Sequence, residues 1–109
     1  MINSLWSQDI FIQLAVLFSC HYFADFPMQG DWLSEGKKKS WYFMFVHCMI
    51  YASTFVLFAH ISLTAALILF VTHFITDPIK ARWNLISFEM DQAIHWCVII
   101  FIWLQFYVH

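Results

Sequence analysis

Four long apolar stretches, separated by short polar segments, account for most of the chain. We predict a transmembrane helix in each, over residues 10–26, 41–59, 63–77 and 91–108. At roughly 15–19 residues, each is near the lower limit for crossing a bilayer. The pattern therefore predicts an all-α integral membrane protein: four transmembrane helices in an antiparallel bundle, forming one domain over residues 1–109.

The least marked boundary separates the second helix from the third, because no Gly or Pro lies between them. One continuous helix over residues 41–77 would be about 55 Å long at about 1.5 Å per residue. That is nearly twice a hydrocarbon core of about 30 Å. The polar residues His60 and Ser62 predict the required turn. Pro27 and Pro78 predict the ends of the first and third helices.

Composition supports a membrane location and limits the classes of partner. Hydrophobic residues make up 62% of the chain and charged residues 11%, whereas about a quarter of residues are charged in soluble domains. The formal net charge of −2 gives no reason to expect a nucleic-acid partner. Residues 1–8 contain no Lys or Arg, so we expect the first apolar segment to be retained rather than cleaved as a signal peptide.

All five basic residues fall in two connections that the predicted topology places on the same side of the membrane. They are Lys37, Lys38, Lys39, Lys80 and Arg82. The positive-inside rule makes this side cytoplasmic and places both termini outside. We interpret the lysine run as a topology signal rather than as a specific lipid-binding patch.

Acidic residues and histidines occur in pairs four residues apart, a spacing that places both members on one face of a helix. The pairs are His21/Asp25, His73/Asp77 and Asp91/His95, and His47 is a fourth, unpaired histidine. The predicted topology brings all seven to the cytoplasmic side, whereas His60 and His109 fall on the opposite side. Ionisable groups in apolar segments cost several kcal/mol and by default indicate a functional site.

Imidazole and carboxylate groups are the usual ligands of zinc and other divalent transition metals. Helical bundles often build such sites from facing helices. We therefore predict a divalent transition metal, with zinc as first choice, held by a subset of His21, Asp25, His47, His73, Asp77, Asp91 and His95. Seven candidates exceed one tetrahedral shell, so some would serve a second metal or orient the ligands.

Four further polar residues are predicted to bind substrate near the metal. Gln29 and Gln92 would provide hydrogen bonds, and Lys80 and Arg82 would receive an anionic or phosphate-bearing group. Two alternatives to a metal site remain open, namely a purely structural polar network and a metal-free path for protons or a solute. Bis-histidine haem is less favoured, because an aspartate accompanies three of the four histidines.

The three cysteines, Cys20, Cys48 and Cys97, fall in apolar segments. We expect small packing residues rather than a disulfide framework. Each cysteine is within two residues of a site histidine, so a thiolate ligand also stays open.

The spacing of these residues resembles the pattern of a known protein family. The similarity rests on His21-x3-Asp25-Phe26-x2-Gln29, Trp32, Lys39, His47, His73-x3-Asp77-x2-Lys80 and Asp91-Gln92-x2-His95. In this pattern the chain resembles the domain-of-unknown-function 3307 family of small bacterial and phage membrane proteins. The resemblance covers nearly the whole chain and implies a protein of the bacterial inner membrane. It transfers no activity.

The favoured function is a metal-dependent hydrolase at the cytoplasmic face, acting on a lipid or lipid-linked phosphate. The metal would activate water and polarise a phosphoryl or acyl group, and Asp25, Asp77 or Asp91 would act as general base. The alternatives are a transporter or channel for protons or metal ions, and a non-catalytic phage factor that binds a host membrane protein. The expected partners are membrane lipids, and homo-oligomerisation is left open.

Overall fold

The structure, a computed structural model, describes residues 9–27 and 29–107, and all regular secondary structure in these ranges is helical. Its helices are α1 Ile10–Asp25, α2 Gly30–Gly36, α3 Trp41–Ala59, α4 Leu63–Ala81 and α5 Phe88–Phe106. The predicted all-α class is confirmed. Residues 1–8 and the predicted end of the last helix at residue 108 lie outside the described residues.

Polar side chains fix where the four long helices begin. Ser40, Ser62 and Ser87 each accept a hydrogen bond from a backbone N–H in the first turn of the next helix, and Asp9 does the same for α1. Such caps satisfy donors that have no partner within the helix. Ser87 is the cap of α5, and Asp91 lies in the first turn of that helix with its carboxylate buried.

The turn between the second and third predicted helices is confirmed. α3 ends at Ala59, and His60 adopts the left-handed conformation with φ of 54° before α4 begins at Leu63. The prediction that Pro78 ends the next helix is wrong, because α4 continues to Ala81. A proline removes one backbone donor but leaves its carbonyl available, and the Pro78 carbonyl accepts a hydrogen bond from Arg82 N at 2.9 Å.

The four long helices pack in a closed ring. α1 contacts α3 and α5, α4 contacts the same two helices, and the short α2 rests on α3. The interior of the ring is apolar over much of its length, with Leu17, Phe55, Leu69 and Ile99 among the residues that fill it. Its other end, where α1 and α4 finish and α3 and α5 begin, contains the buried polar residues.

The outer surface of the ring is unusually apolar. On α4, Leu67, Val71 and Ile75 face outward and are at least half exposed, whereas His73 and Asp77 on the opposite face are buried. This inverts the arrangement of a soluble bundle and is typical of a surface that contacts lipid.

Two helices, α3 and α4, are long and apolar enough to cross a membrane, and α1 with α2 forms a third candidate bent by 75°. α1 alone has 16 residues, about 24 Å at about 1.5 Å per residue. The early turns of α5 contain Glu89, Asp91 and Gln92. The structure thus supports a membrane protein with two or three candidate spans, and the finer prediction of four remains a proposal.

Candidate metal centre

All seven predicted ligands lie at the polar end of the ring. Their side chains come from four helices, and none is more than 4% exposed. Within each pair the spacing of four places both members on the inward face of the helix. The predicted convergence is therefore present in the fold, as two overlapping groups.

The first group contains Asp25, His47 and His73, with Asp77 beside them. The Nε2 atoms of His47 and His73 are 2.8 Å apart. Asp25 Oδ1 lies 3.4 Å from Nε2 of His47 and 3.8 Å from that of His73. For Asp77 Oδ2 the corresponding distances are 3.4 and 3.9 Å.

These five distances bracket the spacing of donor atoms around zinc. In a tetrahedral site with bonds of about 2.0–2.1 Å, neighbouring donors are about 3.3 Å apart. Two Nε2 atoms at 2.8 Å cannot both carry a proton without repulsion, so they share either one proton or a cation. The donor set of two imidazoles and two carboxylates suits a divalent transition metal.

The second group contains Asp25, Asp91 and His95. His95 Nε2 lies 3.2 Å from Asp91 Oδ1, and among the described residues neither atom has a hydrogen bond of acceptable geometry. Asp25 belongs to both groups. Its Oδ1 faces His47, and its Oδ2 accepts a hydrogen bond at 3.2 Å from Gln92, the residue next to Asp91. One carboxylate therefore connects the two halves of the site.

His21 is held by a directed chain of hydrogen bonds instead of belonging to either group. Gln92 Nε2 donates to Asp25 and Asp91, so its Oε1 accepts from His21 Nε2 at 2.8 Å. With a neutral imidazole, Nδ1 then accepts from the Tyr51 hydroxyl at 2.7 Å. Both ring nitrogens of His21 are occupied, which suits a positioning residue better than a ligand.

Two lysines partly compensate the buried carboxylates. Lys37 is 2% exposed and its Nζ donates to Asp77 Oδ2 at 2.7 Å. Lys80 Nζ lies 3.7 Å from Asp77 Oδ1 and 3.5 Å from Asp91 Oδ2. With neutral imidazoles, three carboxylates and two ammonium groups leave a net charge of −1 for the cluster.

Aromatic stacking fixes the ring planes of the histidines. The Tyr51 ring lies on His73 with centroids 4.0 Å apart, and His73 lies on His95 with centroids 4.4 Å apart. The Nδ1 atoms of His47 and His73 are buried without a hydrogen-bond partner in the described part of the chain. Both rings therefore make their closest polar contacts through Nε2.

The remaining predicted residues differ in position. Gln29 donates to the backbone carbonyl of Asp25 at 3.2 Å and so supports the end of α1. Arg82 lies over the Trp41 ring at 4.4 Å and donates to the carbonyl of Lys37. Within the described residues, Arg82 thus contacts the connection before α3 and the first residue of α3 rather than the site carboxylates.

The three cysteines are free, and neither metal-ligand group includes one. Cys20 and Cys48 are buried, but Cys97 is exposed, which corrects its expected burial. Cys97 lies on the outward face of α5, two residues beyond the inward-facing His95. His60 lies in the turn after α3, away from the cluster.

A known protein family matches nearly the whole chain. The family described as "Protein of unknown function (DUF3307)" matches residues 13–109. The chain belongs to this family. No curated protein and no solved structure matches the chain. Membership of DUF3307 therefore confirms the predicted resemblance over nearly the whole length, and function has to be inferred from the site itself.

Two residues of this DUF3307 site were missed by sequence reasoning. Tyr51 lies four residues after His47, the spacing that defines the other pairs, so the periodicity contained the signal. Lys37 was interpreted only as part of a topology signal, and nothing in the sequence distinguishes it from Lys38 and Lys39. Only the packing of α2 against α3 directs Lys37 inward.

The buried contact between Lys37 and Asp77 predicts a large effect on stability. Lys37→Met leaves Lys80, at 3.7 Å, as the ammonium group beside Asp77, and we expect the free energy of unfolding to fall by about 3 kcal/mol. The measurement is unfolding in detergent micelles with EDTA present, so that bound metal does not mask the loss.

Lys39→Met is the matched control, because Lys39 is exposed and its replacement should change stability by less than about 0.5 kcal/mol. Adding Asp77→Asn to Lys37→Met should restore much of the loss by removing the unpaired charge. Equal stability of Lys37→Met and Lys39→Met would contradict the compensating role of Lys37.

Proposed function

We propose that this protein is a small integral membrane hydrolase that uses a divalent transition metal, zinc in the first instance, on a lipid or lipid-linked phosphate. The observation that carries the proposal is the convergence of Asp25, His47 and His73, whose ligand atoms lie within 4.8 Å of one another. Asp77 Oδ2, 3.4 Å from His47 Nε2, is proposed as a fourth donor. Their ligand atoms are buried in a helical bundle whose outer surface is apolar.

Charge supports a cation at this position. With neutral imidazoles the cluster has a net charge of −1, so its field attracts a cation. A divalent ion would change the net charge to +1, which would favour an anionic substrate. The ion would supply Lewis acidity and activation of water, and the protein would supply its position through Asp25, His47, His73 and Asp77.

The second group supports a separate catalytic role. Of the three aspartates predicted as general bases, Asp25 and Asp77 point into the first group, whereas Asp91 faces His95. His95 Nε2 and Asp91 Oδ1 are 3.2 Å apart, and a carboxylate beside an imidazole stabilises the imidazolium that forms when the ring takes up a proton. We therefore assign proton transfer to the Asp91–His95 pair and metal binding to the other two aspartates.

The membrane arrangement is part of the proposal. Four spans in an antiparallel bundle would place both termini outside and the site at the cytoplasmic face of a bacterial inner membrane. The closed ring of four long helices supports this arrangement, as do the basic residues in the two connections beside the site. This position places the cluster at the depth of the lipid headgroups.

A transporter is less well supported by the packing. From Leu17 through Phe55 and Leu69 to Ile102, the interior beyond the cluster is filled by buried apolar side chains. Proton relays and ion paths need ionisable or hydrated groups along their length. The buried ionisable groups of the described residues lie at one end of the ring, which suits a site open to one side.

Metal binding is the first test. The purified protein should contain about one divalent metal ion per chain, the number a single four-donor site would hold. His47→Ala or His73→Ala should reduce metal content by at least about 10-fold, as measured by elemental analysis after gentle purification. His60→Ala removes a histidine far from the cluster and should leave the content unchanged. Equal metal content in all four proteins would overturn the proposed centre.

Measurements of turnover test whether the two groups of the site have different roles. Asp91→Asn or His95→Gln should lower kcat for phosphate release from phosphatidic acid or farnesyl diphosphate by about 10²–10⁴-fold. Metal content should stay near that of the wild-type protein, because the first group remains intact. A transporter would be favoured by two results together. Expression of the wild-type protein would leave the lipid profile of cells unchanged, and the purified protein would give metal-dependent ion flux in proteoliposomes.

The proposed topology has its own test. A reporter that is active only outside the cytoplasm should be active when fused to either terminus and inactive when inserted in the connection at residues 82–87. This expectation follows from the placement of the basic residues. A C-terminal fusion that is inactive with this reporter, but active with a reporter that works only in the cytoplasm, would reverse the orientation and move the site to the outer face.

A further inference from the structure

A polar cavity of about 470 Å³ lies next to the metal cluster, between α2, the end of α4 and the start of α5. Its lining includes Lys37, Lys38, Lys80, Ser34, Asn84 and Ser87. No acidic residue is among the lining residues. Of the three lining lysines, Lys37 is engaged by Asp77 and Lys80 lies near the cluster carboxylates. The exposed Lys38 donates to the exposed Glu35 at 3.0 Å, a surface contact that a ligand can displace. A volume in this range is typical of small-molecule sites.

Lys80 connects the cavity to the cluster. Its Nζ is 3.5 and 3.7 Å from the nearest carboxylate oxygens, longer than an ordinary charge-assisted hydrogen bond. The side chain is 23% exposed, so the ammonium group retains donors for a ligand. Lys37 forms the boundary on the other side, where its Nζ is already engaged by Asp77.

The rim of the cavity is apolar. Leu85, which is 73% exposed, lies between the lining residues Asn84 and Ile86, and Phe88 is 50% exposed. Trp83 precedes them and is also exposed. Exposed aromatic and aliphatic side chains beside a basic pocket are typical of the membrane interface.

From this juxtaposition we infer that the cavity binds the phosphate monoester headgroup of a lipid. Lys38 and Lys80 provide positive charge, Ser34, Asn84 and Ser87 provide hydrogen bonds, and the apolar rim contacts the first part of the acyl chains. The inference rests on the proposed hydrolase, since it places the substrate's headgroup directly outside the metal cluster. It also extends the predicted substrate-binding role of Lys80 to Lys38, and excludes Arg82, which does not line the cavity.

The adjacent residues Lys38 and Lys39 provide a matched pair of variants. Both are exposed, but only Lys38 lines the cavity. The purified full-length protein in detergent micelles is titrated with short-chain phosphatidic acid, with EDTA present so that neither metal nor turnover is required. Lys38→Ala should raise the Kd about 10-fold, the effect of losing one charge-assisted hydrogen bond. Lys38→Glu should raise it further, whereas Lys39→Ala should change it less than about 2-fold.

Phosphatidylcholine, glycerol 3-phosphate and inorganic phosphate complete the titration. Tighter binding of phosphatidic acid than of glycerol 3-phosphate assigns the site to a lipid, and equal affinity keeps the phosphate site but assigns it to a soluble ester. Equal effects of Lys38→Ala and Lys39→Ala, or equal binding of phosphatidylcholine, overturn the headgroup site.

The outcome is independent of the metal test. Metal-dependent turnover without a Lys38 effect would remove the headgroup site and leave the hydrolase in place. A Lys38 effect in a protein that binds no metal would remove the hydrolase and leave an anion-binding cavity.

Discussion

The fold depends on burying three carboxylates inside an apolar bundle. Asp25, Asp77 and Asp91 are at most 4% exposed, and a charge removed from water is tolerated only when it is paired or coordinated. Lys37 and Lys80 supply two positive charges, Gln92 donates to two of the carboxylates, and the histidines contribute ring nitrogens. The position of α2, which brings Lys37 inward, is therefore part of the electrostatic balance of the core.

This balance also assigns different tasks to chemically similar residues. His21 is fixed between Tyr51 and Gln92, whereas His47 and His73 approach each other through Nε2. Asp91 faces His95, whereas Asp77 faces Lys37. Hydrogen-bond partners, more than residue type, separate the candidate ligands from the positioning residues and from the candidate proton acceptor.

The two ends of the bundle differ in character: one is packed with apolar side chains, and the other contains the polar cluster and the cavity beside it. Close packing around Phe55 and Ile99 fills the interior beyond the cluster, so the buried polar groups of the described residues are concentrated at one end of the bundle. The cavity and its lysines lie there, beside α2 and the connection between α4 and α5. The proposed headgroup hydrolase would use this combination of a polar site, a neighbouring basic cavity and an apolar surface.

The amino-acid sequence alone predicts the helical class, the long helices and most members of the cluster. The apolar stretches required helices, and the spacing of four placed His73 with Asp77 on one face, because that periodicity is a local property. The turn at His60 followed from length alone, since one uninterrupted helix would have exceeded the bilayer. Local geometry also accounts for Tyr51, whose position relative to His47 repeats the same spacing.

Which of these residues face one another depends on how the helices pack, and the sequence does not show it. Pro78 does not end α4, because a helix can continue past a single missing donor when the next residues find partners. Lys37, Lys38 and Lys39 are equivalent in sequence, yet one is buried against Asp77, one lines the cavity and one is exposed. Contacts between helices determine these differences, because they depend on how α2 packs and on distances between residues far apart in the chain.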